Sequence, residues 1–276
     1  MPYIISTSRA QRFLVILFFL SCKLMPHEKE KAPESEKSVP NLIWSDEFNY
    51  KGLPDTLKWS YNEGGHGWGN NELEYYTKDR PENARVEDGK LIIEARKEAY
   101  DTNHYTSARL VTKGKAEWEY GRFEIKAKLP QGVGTWPAIW LLSAIDPLVW
   151  PGNGEIDIME HVGYDQGVVH ATIHCKKYNH TIGTQKGHTL SVPDCSSAFH
   201  VYALDWSADS IRAFVDDKQY FSFANDHSGH DAWPFDDKMY LILNLAIGGG
   251  WGGAKGVDDT IFPQRMEIDY VRVYQK

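Results

Sequence analysis

The chain has 276 residues, with 30 Lys and Arg against 38 Asp and Glu, a net charge of −8, and hydrophobic and charged fractions of 42% and 25%. These values exclude a collagen, a coiled coil, a polytopic membrane protein and a wholly disordered chain, and the acidic balance argues against a nucleic-acid partner. Aromatics reach 13%, with 10 Trp and 15 Tyr beside 23 Gly, a composition that points to a β-rich fold with an apolar or carbohydrate-binding groove.

At the start of the chain, Arg9 and Arg12 flank an apolar run at 13–20 (FLVILFFL). It is shorter than the roughly 20 residues of a bilayer span, so residues 1–22 read as a signal peptide. Ser21 before Cys22 resembles a bacterial lipoprotein cleavage site, although Phe19 stands where that pattern usually has Leu. The expectation is export, lipidation at Cys22 and anchoring to the cell envelope; an ordinary secretory signal is the other reading. Residues 23–40 (KLMPHEKEKAPESEKSVP) hold too few large apolar groups to order themselves and read as a flexible tether. Lipidating Cys22 leaves Cys175 and Cys195 as an even pair on the oxidising side of the membrane. A disulfide and two buried free thiols both stand as readings of that pair.

From 41 to 276 the pattern is that of one β-rich domain. Strands are predicted at 42–48, 90–96, 107–112, 122–129, 135–142, 155–160, 168–174, 200–206, 211–216, 240–248 and 266–274, separated by Gly, Pro, Asn and Asp clusters. In 122–129 the alternation is explicit: Phe123, Ile125, Ala127 and Leu129 face one way, and Arg122, Glu124, Lys126 and Lys128 the other. About a dozen such strands imply a two-sheet antiparallel sandwich.

The segment NGEIDIMEHVG (153–163) carries Glu155, Asp157 and Glu160. In a regular strand Glu155 and Asp157 share a face and Glu160 lies opposite. All three converge only if Ile158 or Met159 is a bulge residue, which restores the face. Four effective steps of about 3.3 Å then place the outer α-carbons roughly 13 Å apart. Two carboxyls of this kind serve glycoside hydrolysis, at about 5–5.5 Å for retention and roughly 6.5–9.5 Å for inversion. Acids alternating along a strand often form a solvated face. Here Trp136, Trp140 and Trp150 lie just upstream, and such rings stack on sugar faces.

EIDIME and its surroundings resemble glycoside hydrolase family 16, and more closely its bacterial laminarinase-like members. Matching segments run from WSDEF (44–48) and GWGNNELEYYT (67–77) through 107–142, 150–163 and HATIH (170–174) to YLILNLAIGGGWGG (240–253) and FPQRMEIDYVRVY (262–274). The resemblance implies a concanavalin A-like β-jelly-roll with a concave substrate cleft. It makes Glu155 the nucleophile, Glu160 the acid/base and Asp157 a modulator of the nucleophile, acting by double displacement with retention. It puts Trp136 and Trp140 in sugar subsites and Trp150, Asn70 or Asn71, Arg109 and His174 along the cleft; His174 reads equally as a structural strand residue. It also implies a structural calcium at Glu47, Gly89 and Asp269, with no cofactor needed for chemistry. Relatives without the bulged residue are typically mixed-linkage glucanases and plant transglycosylases, whereas laminarinases, agarases and carrageenases carry it. The expected activity is endo-hydrolysis of β-1,3-glucan by a monomer. Mixed-linkage glucan, agar or carrageenan hydrolysis, and noncatalytic glucan binding, are the alternatives.

Overall fold

Strand alternation dictates two apolar faces, and the chain buries them against each other. The computed structural model describes residues 1–3 and 41–275; the expected signal segment (past Tyr3), Cys22 and the expected tether lie outside the described residues. Seventeen strands follow in order: β1 (Asn41–Asp46), β2 (Ser60–Asn62), β3 (Glu74–Tyr76), β4 (Ala84–Glu87), β5 (Lys90–Tyr100), β6 (Asn103–Ser107), β7 (Arg109–Val111), β8 (Gly121–Lys128), β9 (Thr135–Ser143), β10 (Glu155–His161), β11 (Val168–His174), β12 (Lys186–Ser191), β13 (His200–Trp206), β14 (Ser210–Val215), β15 (Lys218–Ala224), β16 (Met239–Ile247) and β17 (Gln264–Gln275).

One sheet has ten strands in the order β15-β14-β13-β8-β17-β5-β6-β3, with β1 on β17 and β4 on β5. The other has seven, in the order β12-β11-β10-β9-β16-β7-β2. The predicted antiparallel sandwich is found, except that β3 pairs with β6 in parallel. On β8, Phe123, Ile125 and Ala127 enter the core, while Lys126 and Lys128 pair outward with Asp269 and Glu267 on β17, both at 2.8 Å. The core between the sheets gathers these residues with Ile139, Leu141, Ile158, Met159, Ile173, Leu204 and Leu243. Burial of such side chains is worth about 1.5–3 kcal/mol each.

The predicted single strand at 107–112 is two. It breaks at Ala108, where the chain passes from the ten-stranded to the seven-stranded sheet. Residues 105–112 are all buried although Ser107, Arg109 and Thr112 are polar, so no change of pattern marks the break. Strands β2, β3 and β4 are three or four residues long, too short to declare a period even where β4 alternates, and with β12, β15 and most of β6 they escape prediction. Cys175 and Cys195 are free, buried thiols. Cys175 Sγ donates to the Ala232 carbonyl at 3.5 Å, and Cys195 lies against Gln166 and Ser196, so of the two readings the structure holds free thiols.

Candidate active site

The expected carboxyl row is built by β10. Its register skips one residue: Asp157 pairs with Thr172 of β11, and Glu160, three residues on, pairs with His170, two residues back. On the other side Asp157 pairs with Trp140 and Met159 with Ile139. Ile158 is therefore the inserted residue, and Ile158 and Met159 are both buried. The bulge restores the face, and Glu155, Asp157 and Glu160 line one side of the sheet. Two glycines let β10 enter and leave. Gly154 takes φ 86° against Pro234 and Phe235, and a Cβ at Gly163 would meet the Gly132 carbonyl at 1.8 Å.

Neighbouring strands frame the row in register. His174 lies across from Glu155 and Trp140 across from Asp157. His174 Nε2 is 3.7 Å from Glu155 Oε1 and 3.4 Å from Asp157 Oδ2, so of its two readings the structure supports the site residue. Trp150, in the turn before β10, donates from Nε1 to Glu155 Oε2 at 3.0 Å. Trp136 donates likewise to Glu160 Oε1 at 3.0 Å. Two tryptophans expected along the sugar path thus also hold the glutamates. Trp140 instead donates to Asn244 Oδ1 at 2.7 Å.

Burial pushes all three carboxyls up to about 8, and for Glu155 and Glu160 the neighbouring Asp157 charge adds to the rise. Asp157 is 4% exposed, with Oδ2 lacking a hydrogen-bond partner. Three such groups cannot all ionise cheaply. An indole N–H, from Trp150 or Trp136, and His174 oppose the rise of both glutamates, but His174 Nε2 lies 3.7 Å from Glu155, so the negative charge is best placed there. Each glutamate also has two acids nearby, Asp157 and Glu160 for Glu155 and Asp157 and Glu72 for Glu160, so one of the pair keeps its proton into neutral pH.

The rest of the cleft floor was partly foreseen. Arg109 is sandwiched between indoles, its Cζ 4.8 Å from both the Trp68 and the Trp140 ring. Asn70 donates to Glu72 Oε1 at 3.2 Å, whereas Asn71 is an exposed turn residue with φ 57°. Sequence reasoning missed Glu72, Asn244, Trp68 and Trp251. A hydrogen-bonded line runs from Trp140 to Asn244, from Asn244 to the Tyr76 hydroxyl at 3.1 Å, and from that hydroxyl to Glu72 Oε2 at 3.0 Å. Trp251 meets Trp136 edge-on at 5.6 Å and His170 at 4.8 Å. The available signal for Glu72 was the alternating acid pair Glu72 and Glu74 inside an aromatic segment, the same pattern that marks β10. Beside the row, Val111, Leu142, Tyr240 and Ile242 form a small apolar cluster that Trp140 and Trp150 flank.

At the positions where calcium is expected, Glu47, Gly89 and Asp269, two of the side chains are engaged by cations. Both Glu47 oxygens accept from Arg272, at 2.9 and 2.8 Å, and Asp269 pairs with Lys126. A calcium there would be held by backbone carbonyls, the only oxygen that Gly89 can offer, rather than by these carboxylates. Among the described residues, the group of His and carboxylate donors that does converge is Glu155, Asp157 and His174, at the carboxyl row.

A sandwich with an aromatic-lined face and two half-buried, bulge-aligned glutamates defines a glycosidase of the two-carboxylate class. The chain belongs to family 16 of the glycosyl hydrolases, whose model matches residues 71–272. It is 54% identical over 265 residues to a β-glucanase of Rhodothermus marinus, covering 93% of this chain and 91% of that protein. It is 38% identical over 248 residues to a glucan endo-1,3-β-glucosidase of Cryptopygus antarcticus, covering 84% and 90%. The X-ray structure of the laminarinase from Rhodothermus marinus superimposes with a TM-score of 0.85 at 56% identity, over 86% of this chain and 98% of that one.

Proposed function

We propose that this glycoside hydrolase cleaves internal β-1,3-linkages of laminarin-like glucans with retention, working as a monomer whose cleft comes from one chain. The observation that carries the reading is the bulged β10, which sets Glu155 and Glu160 on one aromatic-lined face. The substrate class follows from charge. Strands β9, β10, β11 and β16 contain no Lys or Arg, and the Arg109 guanidinium is enclosed by indoles. An acidic row without facing cations disfavours sulfated galactans and suits a neutral glucan. The relatives named above are a β-glucanase, an endo-1,3-β-glucosidase and a laminarinase.

In the mechanism, ionised Glu155 attacks the anomeric carbon while Glu160 gives its proton to the departing glycosidic oxygen. This forms a glycosyl ester on Glu155. Glu160, now a base, takes a proton from water as that water attacks the same carbon, and the ester bond to Glu155 breaks. The two carboxyl groups carry the chemistry, so no cofactor enters. The bond from Trp150 holds one oxygen of Glu155, leaving Oε1 as the attacking atom.

The test is reducing-sugar release from laminarin, lichenan, agarose and carrageenan. Laminarin should be cleaved; cleavage of a galactan alone overturns the substrate. Glu155→Gln should lower kcat at least about a thousandfold while laminari-oligosaccharide binding persists. We also propose that the chain is exported and lipid-anchored through Cys22, supported by the apolar run at 13–20 and the Ser21–Cys22 pair. Cys22→Ser should move the protein from the membrane fraction to the soluble fraction and abolish palmitate labelling.

A further inference from the structure

Two bulges, one in each sheet, meet inside the sandwich. In β10 the inserted residue is Ile158, which has no partner in β9 or in β11. In β15 Phe221 pairs with Ala213, and the next pair is Gln219 with Phe214, so Tyr220 is inserted there. A regular strand turns neighbouring side chains to opposite faces. The bulge lets Tyr220 and Phe221 both turn inward, at 7% and 6% exposure. The Tyr220 hydroxyl then donates to the Ile158 carbonyl at 2.7 Å. One bulge has displaced a carbonyl from its ladder, and the other supplies the donor that a buried carbonyl requires.

We propose that Tyr220 is a positioning residue for the acid/base: by holding the Ile158 carbonyl, it locks the bulge that turns Glu160 onto the face of Glu155. The action falls on Glu160 because the bulge follows Asp157. Glu155 and Asp157 lie on a stretch paired regularly with His174 and Thr172 on one side and Leu142 and Trp140 on the other. Burial, with the charges of Glu160 and Asp157 nearby, pushes the Tyr220 hydroxyl well above its ordinary range, so it stays a donor at working pH. This inference rests on the two-glutamate reading of the site.

The test compares Tyr220→Phe with the wild-type chain on two substrates. On laminarin, whose leaving group needs a proton, kcat should fall about 10–100-fold, the scale of a misplaced catalytic group. KM should hold within about twofold, because the tryptophans of the cleft are untouched. On a dinitrophenyl β-laminaribioside, whose leaving group needs no acid, the burst of dinitrophenolate should keep its wild-type rate. Tyr202→Phe is the control: Tyr202 is fully buried and its hydroxyl has no hydrogen-bond partner, so both rates should be unchanged. 4-Aminophenylalanine at position 220 keeps a donor and should restore laminarin turnover. An unaffected Y220F, an equal loss on both substrates, a matching loss in Y202F or failure of the amino variant to restore turnover would each overturn the assignment. A wild-type chain inactive on laminarin would sink the functional reading and this inference together, whereas an active one with an unaffected Y220F would sink the inference alone.

Discussion

Trp136 and Glu160 share one hydrogen bond of 3.0 Å, and its effect has a sign. An N–H bonded to a carboxylate favours the charged form, so this bond works against the rise that burial imposes on Glu160. Trp136→Phe keeps a ring and removes the donor. Glu160 should then hold its proton to higher pH, and the alkaline limb of the kcat/KM profile on laminarin should move upward from the region of about 8. A limb that stays or moves down would remove this role. The same residues show what a local reading could and could not find. Glu155, Asp157 and Glu160 were legible because three acids crowd into six positions beside tryptophans. The indole donors were not, because Trp136 lies 24 residues from Glu160 and only strand pairing brings them together.

At the scale of elements, β10 depends on how it is let in and out. Gly163, two residues beyond it, donates its N–H to the Thr135 carbonyl at 2.9 Å, and its α-carbon abuts Gly132. Gly163→Ala would place a methyl 1.8 Å from the Gly132 carbonyl, forcing the end of β10 away from the start of β9. The expected loss is more than about 3 kcal/mol, read as a lower urea midpoint or an insoluble product; a wild-type midpoint would contradict it. Strand prediction succeeded where alternation is intact, as in β8, β11 and β13, whose boundaries lie within a residue of those expected. It failed at β15, where Tyr220 and Phe221 are consecutive and both buried. The bulge that makes this possible is itself what erases the period of two. The segment 107–112 failed for a different reason, since every residue on both sides of Ala108 is buried and polar Ser107 and Arg109 stand alike on either side of it.

Over the whole molecule, the carboxyl row trades stability for chemistry. Asp157 is raised from an ordinary carboxyl range to about 8 by burial. The native state therefore binds more protons than the unfolded chain between roughly pH 4 and 8, and stability contributed below that window is lost as pH rises through it. Asp157→Asn should stabilise the protein by about 1–3 kcal/mol at pH 8, a few degrees in Tm, with the gain vanishing near pH 4. Equal Tm values at pH 8 would show that the row carries no such cost. Read alone, the sequence determined the two-sheet sandwich, the row of three acids and the need for a bulge between Asp157 and Glu160, because all three follow from side-chain period and residue type within short segments; the roles of Glu155 and Glu160 came from the resemblance to family 16. Tertiary structure decided which residue bulges, which indoles hold which glutamate, that Glu72 and Asn244 join the cleft, and that Glu47 and Asp269 face cations. Those facts depend on strands distant in the chain lying side by side, and strand pairing is a long-range choice that no local pattern records.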